Sequence, residues 1–123
     1  MYGNVAHNIY NENNVGIESP QKLVAMMYEG VLRFNAQAKK AIKDGNIEKK
    51  TYWINRSISI ITELIAILDF KYGDITFYLE GLYNYQIRSL VHVNIEDDIQ
   101  RLDEVSKVFK GLSDAWRDVT DVA

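Results

Sequence analysis

His7 and His92 are the residues of this chain best suited to metal or acid–base chemistry, and neither has the company that such chemistry needs. A di-iron site in a helical bundle takes Glu-x-x-His pairs projecting inward, but Asn4 and Ser89 stand three residues before the two histidines. His92 with Met26 or Met27 offers the axial ligands of a b-type haem, yet a lone histidine in an apolar helical stretch is ordinarily structural. No cysteine occurs, which excludes disulfides, thiolate catalysis, cysteine-ligated zinc and covalent haem attachment. That composition is compatible with a reducing compartment. Glu96-Asp97-Asp98 could hold a cation weakly, but carboxylates at a helix start complement its positive end without any metal. No glycine-rich phosphate loop, G-x-S-x-G elbow or H-E-x-x-H helix is present. The residues predict a non-enzymatic protein that needs no cofactor.

The elements that carry these residues are helical. Ser19 is suited to cap a first helix and Pro20 to its first position. Lys22 stands where a capping box would need Glu or Gln. Leu23, Met27, Val31, Phe34, Ala38 and Ile42 repeat at three- and four-residue intervals, which predicts a helix over about 20–43. Asp44-Gly45 ends it and Asn46 caps the next, where Ile54, Ile58, Ile61, Ile65 and Leu68 continue the period. The β-branched residues there favour strand by propensity, but the helical period runs over six turns and outweighs them. Residues 69–74 include Gly73 and break the pattern. A third helix follows over about 75–94, and a fourth starts near Glu96-Asp97-Asp98 and runs through Ile99, Leu102, Val105, Phe109, Leu112 and Trp116. Helices of 20–24 residues are about 30–36 Å long. Matched lengths and short connectors predict an all-α antiparallel four-helix bundle.

The chain of 123 residues suits one domain, with the bundle at 19–118 and tails at 1–18 and 119–123. Residues 1–18 contain five asparagines and few charges, as a mobile tail would. Tyr2, Val5, Ile9 and Tyr10 nevertheless make a short apolar ridge, as in a short extra helix. The N-terminus has no basic segment or apolar h-region, and no uncharged run approaches the roughly 20 residues of a bilayer span. The expectation is a soluble, cytoplasmic protein without membrane insertion. A net charge of −3 is too weak to imply nucleic acid. Its distribution is uneven: residues 30–60 hold seven basic against two acidic groups, a net of +5, and residues 61–123 hold six against twelve, a net of −6. Two solvated faces of opposite sign would explain this, by mutual attraction or by steering a partner.

Apolar surface exceeds what a small bundle core consumes. At 100° per residue, Ile75, Leu79, Leu82, Leu90 and Val93 of the third helix form a core stripe, with Gln86 in its middle. A buried partner or a wetter stretch is expected there. Tyr78 and Tyr85 flank this stripe on one side and Tyr83 and Ile87 on the other, with Val91 further round. In the second helix Trp53, Ile60, Leu64 and Ile67 form a second stripe, widening the apolar arc to about 180° against the roughly 100° of a surface helix. Met26 and Tyr28 lie beside the first helix's stripe and are expected at the rim. Either the middle helices are simply the more buried ones, with tyrosine hydroxyls at the rim, or a groove remains for an incoming apolar helix. Tyrosine and methionine suit such a groove, since they bury area, tolerate water and adapt to different partners.

The sequence resembles the flagellin-specific export chaperone family, FliS. S-P-x-K-L occurs at Ser19 to Leu23, followed by Tyr28-Glu29-Gly30. Arg56 precedes I-I-T-E-L at Ile60 to Leu64, Leu68-Asp69 closes that helix, L-Y-x-Y spans Leu82 to Tyr85, and Ala115-Trp116 comes near the end. The likeness covers about residues 10–117, five motifs in order. Gln21 replaces an acidic residue usual in the family, Ser89 a basic one and Val93 a small one.

The resemblance implies a cytoplasmic helical bundle that binds the disordered C-terminal segment of new flagellin. It would block premature polymerisation and help deliver flagellin to the flagellar type III export gate, with a co-chaperone or assembly regulator as a further partner. It also implies an N-terminal tail that covers part of the client surface. By position, Tyr10 is the tail tyrosine, and Tyr83 and Tyr85 are the client-facing aromatics. Periodicity adds Ile60, Leu64 and Ile67, together with Tyr78 and Ile87, as partner-binding candidates. A cofactor-binding bundle and a self-associating regulatory bundle are the alternatives that the residues themselves leave open.

Overall fold

A computed structural model describes residues 19–120. Four α-helices follow in order: α1 over Pro20–Lys43, α2 over Ile47–Ala66, α3 over Asp74–Glu96 and α4 over Ile99–Thr120. A 3₁₀ turn over Phe70–Tyr72 lies between α2 and α3. Among the described residues there is no strand. The protein is an all-α bundle in which α1 packs against α2 and α4, and α3 packs against the same two helices from the other side.

The helix ends follow from local chemistry. Ser19 has extended backbone angles, and its hydroxyl accepts from the Lys22 amide at 3.3 Å. At the far end Gly45 adopts φ 68°, and two amides fold back: Gly45 donates to Ile42 at 3.1 Å and Asn46 to Ala41 at 2.9 Å. This left-handed stop needs a residue without a Cβ. Asn46 then caps α2, accepting from the Lys49 amide at 3.0 Å. The chain thus reverses within three residues and makes α1 and α2 antiparallel neighbours.

The α3–α4 corner corrects the reading of three carboxylates at one helix start. Glu96 is the last residue of α3, and Asp97 takes a left-handed conformation at φ 56°. Only Asp98 caps α4, accepting from the Arg101 amide at 3.0 Å. Asp97 serves a neighbouring helix instead. Lys50 of α2, itself buried, donates to Asp97 Oδ1 at 2.6 Å and to the Asn94 carbonyl at 2.8 Å. A buried ammonium needs such partners to offset its desolvation.

Met27, Val31, Ile54, Ile61, Leu90, Val93, Leu102, Val105 and Phe109 form the centre of the core. A polar network sits among them. Asn35 of α1 accepts from the Ser57 hydroxyl of α2 at 2.7 Å and donates to Ser106 Oγ of α4 at 3.1 Å. Satisfied on both sides, it fixes the register of three helices at once. Gln86 is buried as its stripe required. Gly30 allows a close contact: a Cβ there would stand 2.8 Å from Ile60 Cδ1.

Candidate functional site

The four helices leave an apolar groove at one end, with a volume of about 390 Å³. The start of α1 supplies Val24 and Tyr28, the end of α2 Leu64 and Ile67, and the start of α3 Ile75, Thr76, Leu79 and Tyr83. Leu68, Asp69 and Tyr72 of the α2–α3 corner and Trp116 of α4 complete it. The groove exists because α2 stops at Ala66 while the chain must still turn into α3. Asp69 nucleates the 3₁₀ turn by accepting from the Lys71 amide at 3.0 Å, and Gly73 at φ 66° sets the new direction. That corner holds Tyr72 out over the opening, largely exposed. Trp116 is anchored on the opposite wall, its indole N–H donating to the Gln21 carbonyl at 2.8 Å.

Under the groove the hydroxyls of Tyr28 and Tyr83 are 2.6 Å apart. Both rings are buried against Phe109, the Tyr83 ring stacked on it with centroids 6.4 Å apart. Burial pushes both phenols above their ordinary range, and the neighbouring Tyr28 hydroxyl pushes Tyr83 further. Each stays protonated, and the paired hydroxyls satisfy each other. With Asp69 as its one charged lining residue, the site suits apolar side chains rather than proton transfer.

A second apolar surface lies along the exposed side of α3. Phe77, Tyr78, Tyr85, Val91 and Ile95 are all exposed, Tyr78 at 65% and Ile95 at 72%. Phe77 meets Phe70 at 5.1 Å between ring centroids, which joins this face to the corner over the groove. The Arg88 guanidinium lies 5.8 Å from the Tyr85 ring centre. A helix face with this many unburied aromatic and aliphatic groups is what a protein-binding surface looks like when uncovered.

The structure sorts the sequence candidates. Ile67 is exposed on the groove wall, and Tyr78 and Tyr85 stand together on the outer face of α3. Ile60 and Leu64 do not form a surface: Ile60 is 0% exposed and Leu64 lies in the core, reaching only the groove floor. The wide apolar arc of α2 is taken up because α1 and α3 flank it on both sides. Tyr83 is likewise buried at 2% exposure, and Ile87 packs half-buried against the core. Tyr28, expected at the rim, is buried too. Tyr10 lies outside the described residues.

Sequence reasoning missed Phe77, Ile95 and Tyr72, read Trp116 only as part of the fourth helix's stripe and a family motif, and placed Ile75 in the core although it is 57% exposed. Phe77 and Ile95, about five helical turns apart and so on one side of the helix, were the available signal for the outer face. Among the described residues no three histidine or carboxylate groups gather as a metal site would require. His92 pairs with Asp98 at 3.1 Å, beside the α4 cap. No helix among them is long and apolar enough to cross a membrane.

A family model described as "Flagellar protein FliS" matches residues 2–123. The flagellar secretion chaperone FliS of Campylobacter jejuni (serotype O:6, strain 81116) is 48% identical over 120 residues, covering 97% of this chain and 94% of that protein. The proteins of the same name from Bacillus subtilis (strain 168) and Escherichia coli (strain K12) are 32% and 31% identical. These alignments cover 88% and 87% of this chain, and 80% of each relative. The chain belongs to the FliS family of flagellar secretion chaperones, and is a chaperone rather than an enzyme.

Proposed function

We propose that this FliS-family chain binds the disordered C-terminal segment of flagellin in the cytoplasm, prevents its premature polymerisation and aids its delivery to the flagellar type III export gate. The observation that supports this reading is an apolar end groove together with an exposed apolar face on α3, both meeting the α2–α3 corner. A client that wraps as a helix lays apolar side chains at three- and four-residue spacing into such a surface. The groove takes one cluster of anchors, and Tyr78, Tyr85, Val91 and Ile95 extend the contact along α3. Ordering a disordered segment costs several kcal/mol, so an extended apolar surface is needed for useful affinity.

Residues 1–18 enter α1 at Ser19, and the Gln21 carbonyl bonded to Trp116 is only two residues further on. The tail therefore joins the bundle beside the groove. In this reading its apolar residues, Tyr10 among them, compete with the client for that surface.

Calorimetric titration with a peptide of about 40 residues from the flagellin C-terminus should give saturable heat and a negative heat-capacity change. No heat, together with no gel-filtration shift at micromolar concentrations, would rule the reading out.

A further inference from the structure

A second surface, on the α1–α2 seam away from the groove and from the outer face of α3, has a different chemistry. Phe34 of α1 and Trp53 of α2 meet with ring centroids 5.4 Å apart, and Tyr52 stands edge-on to Trp53 at 4.9 Å. Two arginines lie on these rings. The Arg56 guanidinium is 4.8 Å from the Phe34 ring centre and 5.7 Å from that of Tyr52, and Arg33 is 5.7 Å from Phe34. Beside Trp53 the seam opens into a recess of about 110 Å³ lined by Gln37, Lys40, Ala41, Asp44 and Lys49.

Arg33, Lys40, Lys49 and Arg56 thus border one continuous strip. None of the four has a carboxylate within ion-pair distance among the described residues. Of the other lysines near the strip in sequence, Lys39 is paired with Asp103 of α4 and Lys50 with Asp97. Asp44 in the recess and Glu48 at the start of α2 are the acidic groups nearby in sequence. Aromatic faces hold the two guanidiniums in place, so a carboxylate that binds them loses less side-chain freedom.

We infer that the α1–α2 seam is a docking site for an acidic segment of a partner protein. Charge complementarity argues for an acidic partner, since residues 30–60 carry a net +5. A short protein segment fits better than an extended polyanion, because residues 61–123 carry a net −6 and repel a ligand that reaches past the strip. Asp44 in the recess likewise disfavours a phosphate there. The site is independent of the proposed client surface, so one chain could hold both partners at once.

The test uses the full chain and a fluorescein-labelled peptide of about 15 residues of glutamate and serine, read by anisotropy at low and physiological salt. Saturable binding that weakens with salt is expected. Arg33→Glu/Arg56→Glu should weaken it tenfold or more, and so should Lys40→Glu/Lys49→Glu, which disturbs no aromatic stacking. Both variants should keep the helical circular-dichroism signal, and Tyr78→Ser/Tyr85→Ser should bind the peptide as the parent does. Failure of the acidic peptide to bind, or equal binding of its lysine counterpart, would overturn the inference. Tighter binding of single-stranded DNA of similar length would reassign the strip to nucleic acid. Self-association in light scattering that the charge reversals abolish would reassign it to a second copy of the chain.

Discussion

The Tyr28 and Tyr83 hydroxyls, 2.6 Å apart beneath the groove, tie α1 to α3, two helices that otherwise meet through their shared neighbours. Neither ring is more than a few per cent exposed, so each hydroxyl depends on the other for its hydrogen bond. Replacing one by phenylalanine strands its partner, at a cost of about 1–2 kcal/mol. Tyr28→Phe/Tyr83→Phe removes both polar groups together and should cost clearly less than the two single changes summed. Urea unfolding of the four proteins measures this, and additive losses would show that each hydroxyl finds another partner.

Gly30 lets Ile60 of α2 pack directly onto α1. A Cβ at that position would lie 2.8 Å from Ile60 Cδ1, and Ile60 is fully enclosed, so it has little room to turn aside. Gly30→Ala should therefore destabilise by about 1–3 kcal/mol, although alanine is the better helix former. Ile60→Val removes the colliding methyl and should recover part of the loss. A stabilised Gly30→Ala would mean that helix propensity outweighs the overlap.

Asp98 gives the bundle an acid-sensitive corner. The Arg101 amide holds its carboxyl below the ordinary aspartate value of 3.8, and the His92 hydrogen bond adds to this. A depressed folded-state value means that the contribution is present above the unfolded value and is lost as pH falls through the folded one. Asp98→Asn should thus lower the melting temperature at pH 7, and the gap should close as the pH drops below about 3.8. A gap that persists unchanged into acid would assign the effect to geometry and not to charge.

These three sites show what the sequence could and could not disclose. Ser19, Gly45 and Asn46 were legible because capping is decided within a few residues. Periodicity also found the stripes of α1 and α4, where one side faces the core and the other faces water. It failed where an apolar residue's fate depends on which helix arrives opposite. Ile60 and Tyr83 read as surplus, yet α1 closes onto one through Gly30 and α1's Tyr28 meets the other. Ile75 read as core, yet it lies where α2 has already ended and the groove begins. The groove itself depends on a corner built by Asp69 and Gly73, which no helical period could signal.

If residues 1–17 compete with the client for the groove, their removal should leave the bundle folded and client affinity unchanged or higher. Circular dichroism and titration of the shortened chain test both halves of that statement. Loss of the helical signal would make the segment part of the fold.

The outer face of α3 allows the sharpest separation of binding from stability. Phe77, Tyr78 and Tyr85 are at least half exposed, so replacing them with serine removes little that the folded bundle has buried. Surface changes of this kind ordinarily shift stability by less than about 0.5 kcal/mol each. An aromatic anchor at the centre of an interface can contribute 2 kcal/mol or more to binding, about thirtyfold in Kd. Phe77→Ser/Tyr85→Ser should therefore weaken binding of the flagellin C-terminal peptide by more than tenfold at nearly constant melting temperature. Tyr83→Phe should behave in the opposite way, because its hydroxyl faces Tyr28 and not the surface: it should lower stability and leave affinity almost unchanged. If Tyr83→Phe lost the peptide while Phe77→Ser/Tyr85→Ser kept it, the client would have to open the bundle and reach its interior, and the outer face of α3 would not be the surface it binds.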